Sequence, residues 1–341
     1  MYRQIGKGDT GLNSPTTFAK ALERGDRRAL SQAITLVESA RPDHQKIAQE
    51  LLSIIPVSRS ETLRIGITGP PGAGKSTLIE RLGGKLIEDG EDVAVLTVDP
   101  SSQLSGGSIL GDKTRMPTLS SSDHAFVRPS PSSGIEGGVG RFTREAVTLC
   151  EACGFNRVIV ETVGVGQSEL RVAQLTDIFI LLLAPAAGDE LQGIKRGVME
   201  LADLIFVTKC DGDLVDAAHR AVGESLAGTG LMQPRIPGWT VPVIATSALH
   251  DIGIDQAMTE INRCHDVLKV NNELDSRRQH QLKSALMQAL HDGLFDEFMA
   301  DPEVSAQVNQ ASDQVAKRKL TPSFAAKQLL ERFLNKKREA P

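Results

Sequence analysis

Short apolar, β-branched runs followed by Gly-rich or Asp-rich loops and then by helical segments dominate the middle of the chain. Leu63 to Thr68, Val93 to Val98, Val158 to Val160, Ile178 to Leu183, Leu204 to Val207 and Val243 to Ala245 are predicted strands. They are apolar almost throughout instead of alternating, which suits strands covered on both faces and predicts a mainly parallel sheet clad by helices. Asp123 to Val127 offers a further short strand within a long Ser-, Gly- and Pro-rich stretch, 101–140, whose length marks it as a functional or mobile connection. Before the sheet, three helices are expected: Thr16 to Ala21 (Phe18, Leu22), Arg27 to Ser39 (Leu30, Ile34, Val37) and Gln45 to Ile55, the last stopped by Pro56. Beyond about residue 265 the pattern is helical and charged. There Leu282, Leu286, Leu290, Leu294 and Phe298 form a stripe that reads first as core and alternatively as a seat for a second subunit. The organisation expected is an N-terminal helical extension (1–60), an α/β domain (61–265) and a C-terminal helical extension (266–341), with no internal repeat.

Composition narrows the ligand classes. A formal charge of −5 argues against a general polyanion-binding surface, and one Trp with one Tyr leaves few platforms for stacking bases, so nucleic acid is not an expected partner. The N-terminus lacks the apolar core of a signal peptide and no apolar run is long enough to span a bilayer, which reads as a cytoplasmic protein away from membranes. Cys150-Glu-Ala-Cys153 is a lone C-x-x-C. Without a second pair or clustered His it reads as two small apolar positions on one helix sooner than as half a zinc site.

The chemistry begins at Gly69-Pro-Pro-Gly-Ala-Gly-Lys75-Ser76-Thr77, which follows a predicted strand and opens a predicted helix, Ser76 to Asp89. This is the context of a P-loop. Glycines allow successive backbone N–H groups, from Gly72 through Ala73, Gly74, Lys75 and Ser76 to Thr77, to surround phosphates; Lys75 neutralises charge on the outer phosphates and the Ser76 hydroxyl ligates Mg2+. The base is indicated by Thr208-Lys209-Cys210-Asp211 after a buried strand. Guanine presents two adjacent N–H donors that a carboxylate at Asp211 accepts, whereas adenine presents an acceptor there. Thr208 stands where most GTPases have Asn, and the Lys209 stem can lie along the base. Thr246-Ser247-Ala248-Leu249 follows the last strand as a second guanine-loop match, so GTP and GDP are the expected ligands.

Acidic residues lie between these two motifs. Asp99, at the end of Val-Asp-Pro-Ser-Ser, either holds a metal-bound water or starts a turn before Pro100. Asp112, in Gly111-Asp-Lys-Thr-Arg115, falls where a switch loop belongs. Glu161, in Glu161-Thr-Val-Gly164, ends a strand, and the backbone N–H of Gly164 is placed to sense the γ-phosphate. Gln167 is the nearest candidate to orient the attacking water, or else a polar residue starting a helix.

Together, Thr97-Val-Asp-Pro-Ser-Ser102, Gly106-Gly-Ser-Ile-Leu-Gly-Asp-Lys-Thr-Arg-Met116, Phe126-Val-Arg-Pro-Ser130, Glu161-Thr-Val-Gly-Val-Gly-Gln-Ser-Glu169 and Ala186-Ala-Gly-Asp-Glu-Leu-Gln-Gly-Ile-Lys195 resemble the MeaB/ArgK/MMAA group of P-loop GTPases. The resemblance implies a GTPase that chaperones an adenosylcobalamin-dependent acyl-CoA mutase, usually methylmalonyl-CoA mutase. Such a protein gates cofactor loading from a cobalamin adenosyltransferase and protects or reactivates the mutase. It further implies a magnesium environment of Ser76, Asp99, Asp112 and Glu161, a third switch loop containing Asp189, Glu190, Gln192 and Lys195, and a homodimer to which the C-terminal helices contribute. Two alternatives share the P-loop. One is a kinase of a basic-amino-acid transport-system binding protein, which requires ATP. The other is a GTP-dependent metal-insertion factor, whose usual His- or Cys-rich collecting tract has no counterpart among the seven scattered His here.

Overall fold

The structure is a computed structural model that describes residues 14–55, 61–99, 115–131, 138–162, 168–185 and 196–339; the side chains of 99, 130, 131, 138–141, 168, 196 and 337–339 are outside that description. It divides into two compact units, Met1–Gln281 and Leu282–Pro341.

The first unit is built on a seven-stranded sheet in the order β3-β2-β4-β1-β5-β6-β7. In chain order the strands are β1 (Leu63–Thr68), β2 (Val93–Asp99), β3 (Ala125–Pro131), β4 (Arg157–Thr162), β5 (Ile178–Leu183), β6 (Leu204–Val207) and β7 (Val243–Ala245). Every neighbouring pair is parallel, as the unbroken apolar runs predict. The helices are α1 (Pro15–Glu23), α2 (Arg27–Glu38), α3 (Pro42–Ile54), α4 (Lys75–Glu88), α5 (Pro117–Ser121), α6 (Gly138–Ala152), α7 (Ser168–Ala173), α8 (Arg196–Met199), α9 (Val215–Thr229) and α10 (Ile254–Val270).

Period-two alternation along each strand sends successive side chains to opposite faces. Leu63, Ile65 and Ile67 of β1 pack with Leu78, Ile79 and Leu82 of α4 and with Ile254, Met258 and Ile261 of α10. On the opposite face, Ala94, Leu96, Val158 and Val160 meet α6 and the apolar sides of α1 to α3, including Phe18, Leu22, Leu30, Ile34, Val37 and Leu51. The N-terminal helices therefore complete a face of the sheet. Their starts are chemically marked: the Ser14 hydroxyl accepts the Thr17 N–H and the Asp26 carboxylate accepts the N–H groups of Arg28 and Ala29.

The N-terminal edge of the sheet is closed by ion pairs. Asp177, before β5, accepts the Arg64 N–H and pairs with Arg278; Asp203, before β6, accepts the Phe179 N–H and pairs with Arg277. Arg277 and Arg278 lie on α11 (Glu273–Ala300), within which the boundary between the units falls. The second unit contains the remainder of α11 with α12 (Pro302–Ala316) and α13 (Pro322–Glu339). Phe298 packs edge-on against Phe333, and the Asp301 carboxylate caps α12 while pairing with Lys336. Leu282, Leu286, Leu290 and Leu294 are 43%, 61%, 51% and 70% exposed, so the stripe is not core in this chain. Among the described residues no helix is long and apolar enough to cross a membrane.

Candidate functional site

Strand β1 lies centrally, its two neighbours β4 and β5 leading to opposite halves of the sheet. In such sheets the crevice beyond the carboxyl ends of the strands is the ligand position. Four described motifs emerge there: the loop Gly69–Gly74 after β1, Glu161 near the end of β4, Thr208–Asp211 after β6 and Thr246–Leu249 after β7.

The first loop needs its glycines for different reasons. A Cβ on Gly69 would stand 2.7 Å from the Leu182 carbonyl oxygen of β5, so the backbone can pass only without a side chain. Gly74 has φ 83° and forms the left-handed cap from which α4 starts. The helix thus opens with its N–H groups directed toward the loop, the arrangement that favours anions. Lys75 is 8% exposed, and its ammonium donates to the carbonyls of Gly69 at 2.8 Å and Pro70 at 3.1 Å. Burial pulls its pKa below the ordinary lysine value, Glu161 opposes that shift and Arg115 adds to it. A buried ammonium beside the start of α4 suits a polyanion.

Parallel register brings the acidic element alongside. Ile67 of β1 and Thr97 of β2 are both in register with Glu161, and the hydroxyls of Thr68 and Thr162 are 2.7 Å apart. The Ser76 hydroxyl donates to Glu161 Oε1 at 3.0 Å. A hydroxyl and a carboxylate are hard oxygen donors of the kind Mg2+ accepts, and such sites need only one or two protein ligands beside phosphate and water. The residues present fit that ion. Asp99 ends β2, with Val98 in register with Thr162; its side chain is outside the described residues, as are Asp112, Gly164, Gln167, Asp189, Glu190, Gln192 and Lys195. Among the described residues no group of three or more His, Cys, Asp or Glu could hold a metal. Cys150 and Cys153 are both in the core, where burial raises the Cys150 thiol pKa.

The other half of the crevice is joined by hydrogen bonds between β6 and β7. The Cys210 N–H donates to the Thr246 carbonyl at 2.9 Å, and the fully buried Ser247 hydroxyl donates to the Asp211 carboxylate. Lys209 has φ 57°, a left-handed conformation unusual for a side chain of this size. In the loop after β7, Leu249 is exposed and Ala248 is half-buried. Phosphate and base motifs are thus both assembled on one edge of the sheet.

Sequence reasoning missed the supports behind these motifs. Arg81 on α4 donates from Nε to Asp251 Oδ1 at 2.8 Å and from a terminal nitrogen to Oδ2 at 2.5 Å; Lys85 pairs with Asp255. The Arg81 hydrogen bonds hold the Asp251 carboxyl below its usual range. Part of the signal was legible: Arg81 and Lys85 are four residues apart on one face of α4, whereas Asp251 sits in the turn before α10 and Asp255 in its first turn. Glu80 likewise accepts the N–H groups of Thr118 at 2.6 Å and Leu119 at 3.2 Å, tying α5 to the same helix.

With this geometry established, known proteins provide a comparison. The family profile described as methylmalonyl Co-A mutase-associated GTPase MeaB matches residues 30–303. A putative GTPase of Caulobacter vibrioides is 50% identical over 312 residues, covering 92% of this chain and 95% of that one. The methylmalonic aciduria type A homolog, mitochondrial, of Mus musculus is 43% identical over 322 residues, covering 92% and 78%. Among solved structures, one described as LAO/AO transport system kinase aligns with a TM-score of 0.74 at 36% identity, covering 94% of this chain and 97% of that one.

Proposed function

Because the chain belongs to the family of methylmalonyl-CoA mutase-associated GTPases MeaB, we propose that its GTPase activity serves as a chaperone cycle for an adenosylcobalamin-dependent acyl-CoA mutase, methylmalonyl-CoA mutase foremost. The observation that carries this reading is the family match across residues 30–303, whose description names the mutase. In this reading GTP binds with its phosphates in the loop from Gly72 to Thr77 and its base against Thr208–Asp211 and Ser247–Leu249. Water attacks the γ-phosphorus, the bond to the bridging oxygen breaks, and GDP and phosphate leave. The Lys75 ammonium exchanges its carbonyl acceptors for phosphate oxygens and offsets the charge that builds there. Mg2+ would be held by Ser76 and the acidic residues Glu161, Asp99 and Asp112, and would supply charge neutralisation between the outer phosphates. Gly164 and Gln167 remain our candidates for sensing the γ-phosphate and orienting the water.

The nucleotide state would reach the mutase through the loop that holds Asp189, Glu190, Gln192 and Lys195, gating cofactor loading from a cobalamin adenosyltransferase in the cytoplasm. The exposed stripe on α11 supports a homodimer, since a row of Leu every fourth residue is one apolar helix face. Steady-state GTP hydrolysis by the purified chain should be slow and should rise at least about tenfold on adding methylmalonyl-CoA mutase, consistent with partner-completed GTPase sites. Absence of both binding and stimulation by any cobalamin-dependent mutase would sink the chaperone reading while leaving the GTPase intact. The description of the 36% identical structure as a transport system kinase supports a second reading, phosphoryl transfer to a protein. That reading requires ATP, and the Ser247-held carboxylate of Asp211 disfavours adenine.

A further inference from the structure

A cavity of about 160 Å³ opens at the amino ends of β6 and β7, across the sheet from the phosphate and base motifs. Met199 at the end of α8, Met232 after α9, and Trp239 and Val241 before β7 form its apolar walls. An apolar cavity of about 150 Å³ takes up benzene, so a group of that size fits here. One wall is fixed: the Trp239 indole N–H donates to the Asp203 carbonyl at 2.9 Å, and the Arg263 guanidinium lies 4.7 Å from the Trp239 ring centroid. The methionines are the adaptable walls, since their unbranched side chains shift to suit what they touch.

The charge beside these walls is unbalanced. Asp203, only 1% exposed, accepts the Phe179 N–H at 2.9 Å and two N–H groups of Arg277 at 2.9 and 3.3 Å. Arg235 also lines the cavity but comes no nearer than 3.9 Å to the same carboxylate, beyond hydrogen-bond distance. Two guanidinium groups therefore share one carboxylate, and that of Asp177 is taken by Arg278. A guanidinium has five N–H donors. Among the described residues the Leu201 carbonyl is the one hydrogen-bond acceptor of Arg235. Burial pulls its pKa down, Asp203 opposes that shift and Arg277 adds to it, as expected of a cation short of counter-charge. Glu200 lines the cavity too, but it is exposed to water, where its charge is screened. It disfavours a second negative charge on anything bound. We propose that the cavity is a binding site for a small monocarboxylate, its charge paired with Arg235 and its apolar body, about the size of a benzene ring, seated between Trp239 and the two methionines. The assignment stands whichever nucleotide occupies the other edge of the sheet.

The test uses the full chain with benzoate and its neutral isostere benzamide. Trp239 is the chain's one tryptophan, so its emission reports on this cavity, while ligand-detected NMR measures binding wherever it occurs. Benzoate should bind with a Kd of about 1 mM or tighter and change Trp239 emission over the same concentration range. It should bind at least about tenfold more tightly than benzamide, the size of one charge-assisted interaction. In Arg235→Gln the two should bind within about twofold of each other, with benzamide affinity kept. No benzoate binding to wild type at about ten times that concentration, or binding that leaves Trp239 emission unchanged, would overturn the proposal. So would equal affinity of wild type for acid and amide, a comparison that depends on no variant folding. An undiminished preference for benzoate in Arg235→Gln would do the same.

Discussion

In the proposed site the preference for guanine rests on one residue, Asp211. Its carboxylate accepts the Ser247 hydroxyl, which orients it before any base arrives, and a carboxylate so fixed pairs with the two adjacent donors of guanine. Asp211→Asn replaces one acceptor by a donor. The expected result is a loss of GTP affinity of about 2–3 kcal/mol, on the order of a hundredfold, with xanthosine triphosphate becoming the better ligand. Competition against a fluorescent guanine nucleotide measures it; unchanged preference for GTP would remove Asp211 from the base site. Asp211, Lys75, Ser76 and Glu161 could be nominated from the sequence because each sits in a contiguous motif, and the structure brings all four to the carboxyl ends of the strands. Thr208 was legible as a position but not as a contact. Its hydroxyl donates to the Ala73 carbonyl, 135 residues away, and no local pattern encodes a pairing made by strand order.

Elements behaved similarly. β1, β5, β6 and β7 coincide with the predicted runs, since strands buried on both faces admit little but apolar residues. β3 was expected over 123–127 and runs instead from Ala125 to Pro131, through Pro129 and Pro131. It is an edge strand paired to β2 alone, which tolerates missing N–H groups, so tertiary pairing extends it where local propensity would end it. The helix expected from Gln45 starts earlier, because Pro42 suits a first turn. Within α10, His265 is 7% exposed and its Nε2 has no hydrogen-bond partner among the described residues. Burial, reinforced by Lys269 and Arg157 and opposed by Asp177 and Asp266, lowers its pKa from 6.5 to about 4. Between those values the unfolded chain binds the proton and the folded one does not, so stability falls as pH drops through that window. From the pKa difference the loss at pH 5 is about 2 kcal/mol relative to neutral pH. Chemical denaturation at pH 7.5 and pH 5 should show it in wild type and show a smaller loss in His265→Leu; equal losses would mean that His265 stays neutral in both states or is charged in both.

At the scale of the whole molecule, the two units differ in how they are stabilised. The first has a continuous core on both faces of the sheet, while the second carries Leu286, Leu290, Leu294 and Phe295 on exposed helix surface. An apolar face of that kind is covered in a stable soluble protein by a partner surface. Leu290→Glu should convert a dimer into a monomer by light scattering, with far-UV circular dichroism unchanged. A wild-type chain that is monomeric at micromolar concentration would refute the dimer. The sequence by itself determined the class of the fold and the phosphate loop and set the expectation of a guanine nucleotide, because periodicity and short motifs express local backbone and side-chain chemistry. Only the tertiary structure decided that α1 to α3 cover the sheet, that the stripe on α11 is exposed, and that Thr208 meets Ala73. Those facts depend on which distant surfaces become neighbours, and that is settled by strand order and by the packing of apolar faces from the whole chain.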